Sequence, residues 1–165
     1  MTPSQPVPEP DDATTSALRL LDPPVPAGGT VLELGTGHES RPHLVEAEGV
    51  TVRRTDIASD DLGGPYDAVL ALGVLQHVER GHLSVVLGRV AEALRPGGAF
   101  VISVPEGDGE ERGVGEAGTP SLTVRWREPD LCDLLEDVGL DLVRRWSTDD
   151  SDRGPWLTFA TRNGR

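Results

Sequence analysis

Val31-Leu-Glu-Leu-Gly-Thr-Gly37 is an apolar run that ends in two closely spaced glycines, and Asp56 follows 21 residues after Gly35. Glycines directly after a strand let the backbone approach a ligand closely, and an acid at the end of the next strand is placed to accept hydrogen bonds from a ribose. The pair fits an adenosine-bearing ligand. A nicotinamide site would continue as G-x-G-x-x-G, but the loop reads Gly35-Thr-Gly37-His-Glu-Ser40, with serine at the third glycine position.

Two histidines are candidates for proton transfer. His77 lies five residues beyond the apolar run Tyr66-Asp-Ala-Val-Leu-Ala-Leu72, at the carboxyl edge where open α/β sheets bind ligands, and is the candidate general base. The alternative is that it caps or packs under the following helix. His38, inside the glycine loop, is a second candidate, the alternative being a solvated loop residue. His38/His43 and His77/His82 are each five apart, which does not match the i, i+4 spacing of a helical metal site, so no metal is expected. Trp126, between Arg125 and Arg127, either walls a substrate pocket or anchors a loop to the core, and Trp146 and Trp156 read as core or edge packing.

These residues need strands and helices in alternation. A short helix from Ala13 to Leu21 precedes a strand over Thr30 to Leu34, a short helix over Arg41 to Gly49 closed by a glycine cap, and a second strand over Val50 to Ile57. Tyr66 to Leu72 is a third strand, Leu83 to Leu94 a helix ended by Arg95-Pro-Gly-Gly98, and Ala99 to Val104 a fourth strand. A Gly- and Glu-rich loop over 105 to 121 follows, then a helix over Glu128 to Val138 and two strands, Asp141 to Ser147 and Trp156 to Arg162. The pattern predicts an α/β fold with a Rossmann-like, doubly wound, mainly parallel sheet and a C-terminal antiparallel hairpin.

Composition limits the partners. The chain has 165 residues, 15 basic against 28 acidic, for a formal net charge of -13, so neither nucleic acid nor an anionic membrane is expected as a partner. Every basic residue is arginine, which excludes a lysine Schiff base. The lone Cys132 can form neither an internal disulfide nor a zinc site. No apolar run approaches the roughly 20 residues of a membrane span, and the start lacks the features of a secretory signal, so a cytoplasmic location is expected. Residues 1 to 12, with four prolines and three acids, read as a flexible tail and residues 13 to 165 as a single domain.

VLELGTG, RRTDI, YDAVLALGVLQHV and LRPGGAFVISVP, in that order, resemble the class I S-adenosylmethionine-dependent methyltransferases over roughly residues 30 to 162. The resemblance implies S-adenosylmethionine as cofactor. It implies that Glu33, Gly35 and Gly37 line its methionine end, that Asp56 holds both ribose hydroxyls, and that backbone around Leu72 and Gly73 meets it where the third strand ends. Thr36 and Ile57 join this set by position.

Three departures from the family pattern carry expectations of their own. The third glycine of the family loop is Glu39 here, a carboxylate that would shift the loop or attract an amine substrate. Only nine residues, Ile57 to Pro65, join the second strand to the third, a reach of about 30 Å, too short for the usual helix and strand. One edge strand is therefore expected to be missing, leaving Val50 to Ile57 as a sheet edge and Asp61 and Leu62 as substitutes for the missing adenine contacts. That edge, with Thr51, Arg53 and Arg54, would be blunted by its charges or pair with a second copy to give a homodimer. Finally, fewer than 30 residues precede the first strand, so a helical cap over the substrate is nearly absent.

The reaction implied is methyl transfer to an O, N or C atom of a small molecule, in specialised metabolism. The loop over 106 to 118, with its acids and glycines, is a lid candidate whose charge favours a neutral or cationic acceptor. A methyltransferase-like binding or regulatory module without turnover is the alternative, and nicotinamide-dependent redox chemistry is disfavoured by Ser40.

Overall fold

The computed structural model describes residues 12–35, 43–47, 49–57, 61–150, 152 and 154–164. Helix α1 (Asp12–Arg19) precedes strand β1 (Thr30–Gly35), followed by β2 (His43–Ala47), β3 (Val50–Asp56) and β4 (Tyr66–Leu72). Helix α2 (Leu83–Ala93) leads into β5 (Leu94–Pro105). Strands β6 (Glu110–Val114) and β7 (Pro120–Val124), helix α3 (Glu128–Asp137), β8 (Leu140–Asp150) and β9 (Gly154–Asn163) complete the chain.

One seven-stranded sheet runs in the order β2-β3-β1-β4-β5-β9-β8. Strands β3, β1, β4 and β5 are mutually parallel, and β9 and β8 close one side as the expected antiparallel hairpin. Covering a parallel strand on both faces requires a near-continuous apolar sequence. In β4, Ala68, Val69, Leu70 and Ala71 are all fully buried.

Side-chain alternation divides the core in two. Leu32, Leu34, Val69, Phe100, Ile102 and Phe159 point to the face covered by α2 and α3. On α2 the buried Leu83, Val86, Leu87, Val90 and Ala91 repeat at helical spacing and form one stripe. Burying each such large side chain contributes about 1.5–3 kcal/mol. Val31, Val52, Leu70 and Val101 point to the other face, where α1 supplies Ala17 and Leu18. Gly139, with φ +84, ends α3 as expected, its N–H donating to Glu136 O at 3.0 Å.

Three expectations are corrected. The segment expected as a helix over Arg41 to Gly49 contains β2, antiparallel to β3, with Ala47 paired to Val50. Gly49, at φ +78, is a hairpin glycine rather than a helix cap. Both roles need the left-handed conformation, so the residue type could not separate them. No strand occurs between Ile57 and Tyr66 among the described residues, as the short connection required. Val50–Asp56 is nevertheless not an edge, because β2 satisfies its outer backbone groups and takes the edge position itself.

The third correction concerns the loop over 105 to 121, much of which forms the β6–β7 hairpin, with Glu110 opposite Val124 and Val114 opposite Pro120. Every residue of β6 is exposed, so the strand has no buried face and no alternation to reveal it. The expected tail at 1 to 12 lies outside the described residues, apart from Asp12.

Candidate functional site

The parallel register brings the carboxyl ends of four strands to one edge. Gly35 stands directly opposite Asp56, and Ile57 N–H donates to Gly35 O at 3.1 Å. Leu72, the last residue of β4, stands opposite Ser103 of β5. Gly35, Asp56, Ile57, Leu72 and Gly73 therefore share this edge and are all partly exposed. Thr36, Gly37, His38 and Glu39 lie outside the described residues.

Glu33, two residues before Gly35, shares the α1 face. Its Oε2 accepts a hydrogen bond from the fully buried Thr14 at 2.6 Å, and Arg54 Nε lies 3.5 Å from the same oxygen. Arg54 is Glu33's register partner. Its Nε and Nη2 are buried without a hydrogen-bond partner among the described residues. Arg54 thus pairs with Glu33 through Nε, and its forked guanidinium has the donor geometry to bind a second carboxylate beside it. From the sequence, Arg54 reads only as an edge charge. The available signal was parity, since residues 54 and 56 of one strand share a face.

On the other side of Asp56 lies a cleft of about 440 Å³ lined by Ile57, His77, Val78, Glu79, His82, Val86 and Arg89. The walls combine apolar side chains with two imidazoles. His77 is exposed, ends a short 3₁₀ turn (Leu75–His77), and has Nδ1 2.7 Å from Leu122 O on β7. A carbonyl can only accept, so Nδ1 donates and Nε2 keeps the lone pair of the neutral ring.

Asp61 and Leu62 are placed differently. Asp61 Oδ1 accepts from Gly63 N–H at 2.8 Å in a local turn. Leu62 is buried in the core, and its carbonyl accepts from Tyr66 Oη, at the amino end of β4, at 2.6 Å. The structure does not bring Leu62 to the edge that holds Asp56 and Gly73.

Gly73, at φ +67, turns the chain out of β4. Its N–H donates to Ser103 Oγ at 2.9 Å and to Ser103 O at 3.1 Å, and its carbonyl accepts from Gln76 Nε2 at 2.8 Å. A Cβ at Gly73 would meet the Trp156 ring at 3.8 Å. Trp156, opposite Pro105 at the carboxyl end of β5, thus borders the site as well as the hairpin. Trp126 is 2% exposed and lies in the core with Arg80 stacked 4.5 Å from its ring centroid, which makes it an anchor rather than a pocket wall.

The β6–β7 hairpin is tied down around this anchor. Arg80 Nη2 donates to Arg125 O at 2.7 Å, and His77 holds Leu122. Arg127 grips Asp108 in a bidentate pair, with Nη2–Oδ2 at 2.7 Å, and these hydrogen bonds hold the Asp108 carboxyl below its usual range. Arg125 pairs with Glu111 at 3.3 Å and Arg112 with Glu110 at 3.8 Å. Arginines therefore compensate much of the acidity attributed to the lid. Among the described residues no group of acids, histidines and cysteine could hold a metal, and no helix is long and apolar enough to cross a membrane.

The methyltransferase-domain family matches residues 11–145 of the chain. Solved structures agree on the fold. Burkholderia thailandensis 1,6-didemethyltoxoflavin-N1-methyltransferase, bound to 1,6-didemethyltoxoflavin and S-adenosylhomocysteine, superposes with a TM-score of 0.67 at 21% identity, over 93% of this chain and 78% of that one. Magnesium protoporphyrin IX methyltransferase from Synechocystis PCC 6803, with bound S-adenosylhomocysteine, gives 0.61 at 19% identity, over 92% and 81%. An S-adenosylmethionine-dependent methyltransferase from Methanosarcina mazei gives 0.64 at 12% identity, over 84% and 94%. No curated protein matches the chain by sequence. The chain belongs to the methyltransferase-domain family. Its fold is the one these S-adenosylmethionine-dependent methyltransferases of known structure share.

Proposed function

We propose that this protein transfers the methyl group of S-adenosylmethionine to an O, N or C atom of a small neutral or cationic molecule, in specialised metabolism. The observation that carries the reading is the placement of Asp56 directly beside Gly35, with different chemistry on its two sides. On one side the Glu33 carboxylate and the Arg54 guanidinium complement the two charges of an amino-acid zwitterion. On the other, the cleft beside Ile57 suits a flat heteroaromatic ring. Asp56 between them is suited to a ribose diol. Bound S-adenosylmethionine supplies a methyl group on a sulfonium, already activated for in-line displacement.

The protein's own task is then to hold, align and exclude water. Gly73 and the Trp156 ring beside it border the acceptor's side of the edge. His77 is on the wall of the cleft beside Ile57, and an acceptor that reaches into this cleft past the bound ring would give its proton to Nε2 while Nδ1 stays bonded to Leu122 O, leaving the hairpin contact intact. The structural relatives that act on 1,6-didemethyltoxoflavin and magnesium protoporphyrin support a small-molecule acceptor by analogy. The compensated acids of the hairpin favour a neutral acceptor over a cationic one.

The test is release of S-adenosylhomocysteine from S-adenosylmethionine in the presence of panels of phenols, amines, heteroaromatic N–H compounds, peptides and RNA. Turnover confined to the small molecules is expected. Turnover with RNA or peptide alone contradicts the assigned substrate class, and cofactor binding without turnover on any panel favours the regulatory reading.

A further inference from the structure

We propose that the chain forms a two-fold homodimer by antiparallel pairing of β8 with β8 of a second copy, centred on Ser147. Strand β8 is the outermost strand on its side of the sheet and runs for eleven residues. Asp141 to Arg145 and Ser147 to Asp149 are exposed, and Trp146 is half-buried. An edge strand of this length is a template for another strand unless its sequence discourages pairing. Here the sequence encourages one particular pairing.

Residues 144 to 150 read Arg-Arg-Trp-Ser-Thr-Asp-Asp, which is charge-inverted about Ser147. Antiparallel pairing with the two-fold axis at Ser147 sets Arg144 opposite position 150 and Arg145 opposite Asp149, in both copies at once. Trp146 then faces Thr148. Directly opposed residues of an antiparallel pair share a face, so each arginine meets an aspartate. Moving the axis to residue 146 sets Arg144 against Thr148 and Arg145 against Ser147. Moving it to residue 148 keeps only one such pair, Arg144 against Asp152, sets Arg145 against position 151, a serine, and carries the pairing past the end of β8 at Asp150. Parallel pairing in register sets like charge on like. One register of one orientation is therefore selected, as an isologous interface requires.

Two further features agree. The register shift between Leu142 and Arg144 marks a bulge that lies just outside the self-complementary segment and bounds it. The segment is itself neutral in a chain of net charge -13, so self-association does not oppose the strongest local charges of the molecule. Arg145, bonded to Glu128 within its own chain, would gain Asp149 of the second copy on the same face.

Sedimentation equilibrium of the full chain is expected to give twice the monomer mass. The double variants R144D/R145D and D149R/D150R are each expected to be monomeric and folded by circular dichroism, and an equimolar mixture of the two to recover the dimer. A wild-type monomer across the micromolar range overturns the proposal, as do double variants that both remain dimeric. An independent check needs no charge change. In a C132S background, S147C is expected to oxidise rapidly to a disulfide-linked dimer, because directly opposed Cα atoms lie about 4.5–5.5 Å apart. V143C, displaced by four residues along both strands, is not. Equal cross-linking of the two, or of neither, contradicts the register.

Discussion

Arg54 stands opposite Glu33 in the ladder between β3 and β1, with Nε 3.5 Å from Glu33 Oε2, while its Nε and Nη2 have no hydrogen-bond partner among the described residues. If that guanidinium receives the carboxylate of the cofactor's amino-acid end, Arg54→Met removes charge-assisted bonds. Affinity for S-adenosylhomocysteine should then fall by about 10- to 100-fold. Affinity for 5′-methylthioadenosine, which lacks the amino acid, should be unchanged. Calorimetry with both ligands checks this, and equal losses for the two would assign Arg54 a purely structural role.

Gly73 cannot carry a side chain cheaply. Its φ of +67 is left-handed, and a Cβ would touch the Trp156 ring at 3.8 Å, so the backbone conformation sets the cost. Gly73→Ala should destabilise the fold by about 1–2 kcal/mol. That corresponds to a melting temperature lower by about 2–8 °C, read by differential scanning calorimetry.

His77 should be a fixed tautomer. With Nδ1 donating to Leu122 O at 2.7 Å, long-range proton–nitrogen spectra are expected to show a protonated Nδ1 and a lone-pair Nε2 in the neutral ring. The opposite tautomer would remove its capacity to act as the proposed base. With a turning-over acceptor in hand, His77→Ala should lower kcat by about 10²- to 10⁴-fold.

The parallel core was legible because its signals are strong and mutually consistent. Thr30–Gly35 and Tyr66–Leu72 combine apolar runs with glycine stops, and Leu83–Ala93 repeats its buried residues at helical spacing. His43–Ala47 was not legible, since five residues ending near a glycine suit a short helix or a hairpin arm equally. The open edge of β3 decided between them. The same limit hid the β6–β7 hairpin, whose β6 arm has no buried face. At the site, the positions of Gly35, Asp56, Leu72 and Gly73 followed from strand ends. Arg54 and Trp156 did not, because their roles depend on the register with Glu33 and on the packing against Gly73.

Cys132 offers a pH test of the α3 surface. Partial burial, with Glu136 and Asp133 nearby, raises the pKa of its thiol above the ordinary cysteine range. A raised thiol pKa means less thiolate at any given pH, and the thiolate is the nucleophile. Alkylation by iodoacetamide at pH 8 should therefore be slower in the folded chain than in the urea-unfolded one, and should accelerate as pH rises beyond 9. Mass spectrometry of timed samples checks both rates, and faster alkylation of the folded protein would contradict the assigned environment.

The central claim is that the edge joining Gly35 and Asp56 holds S-adenosylmethionine through its ribose. Isothermal titration of S-adenosylmethionine into the wild-type chain and into Asp56→Ala tests it most directly. The account predicts micromolar binding to the wild type that is abolished in the variant. Absence of binding to the wild-type chain at millimolar ligand, or equal binding to the two proteins, would contradict it.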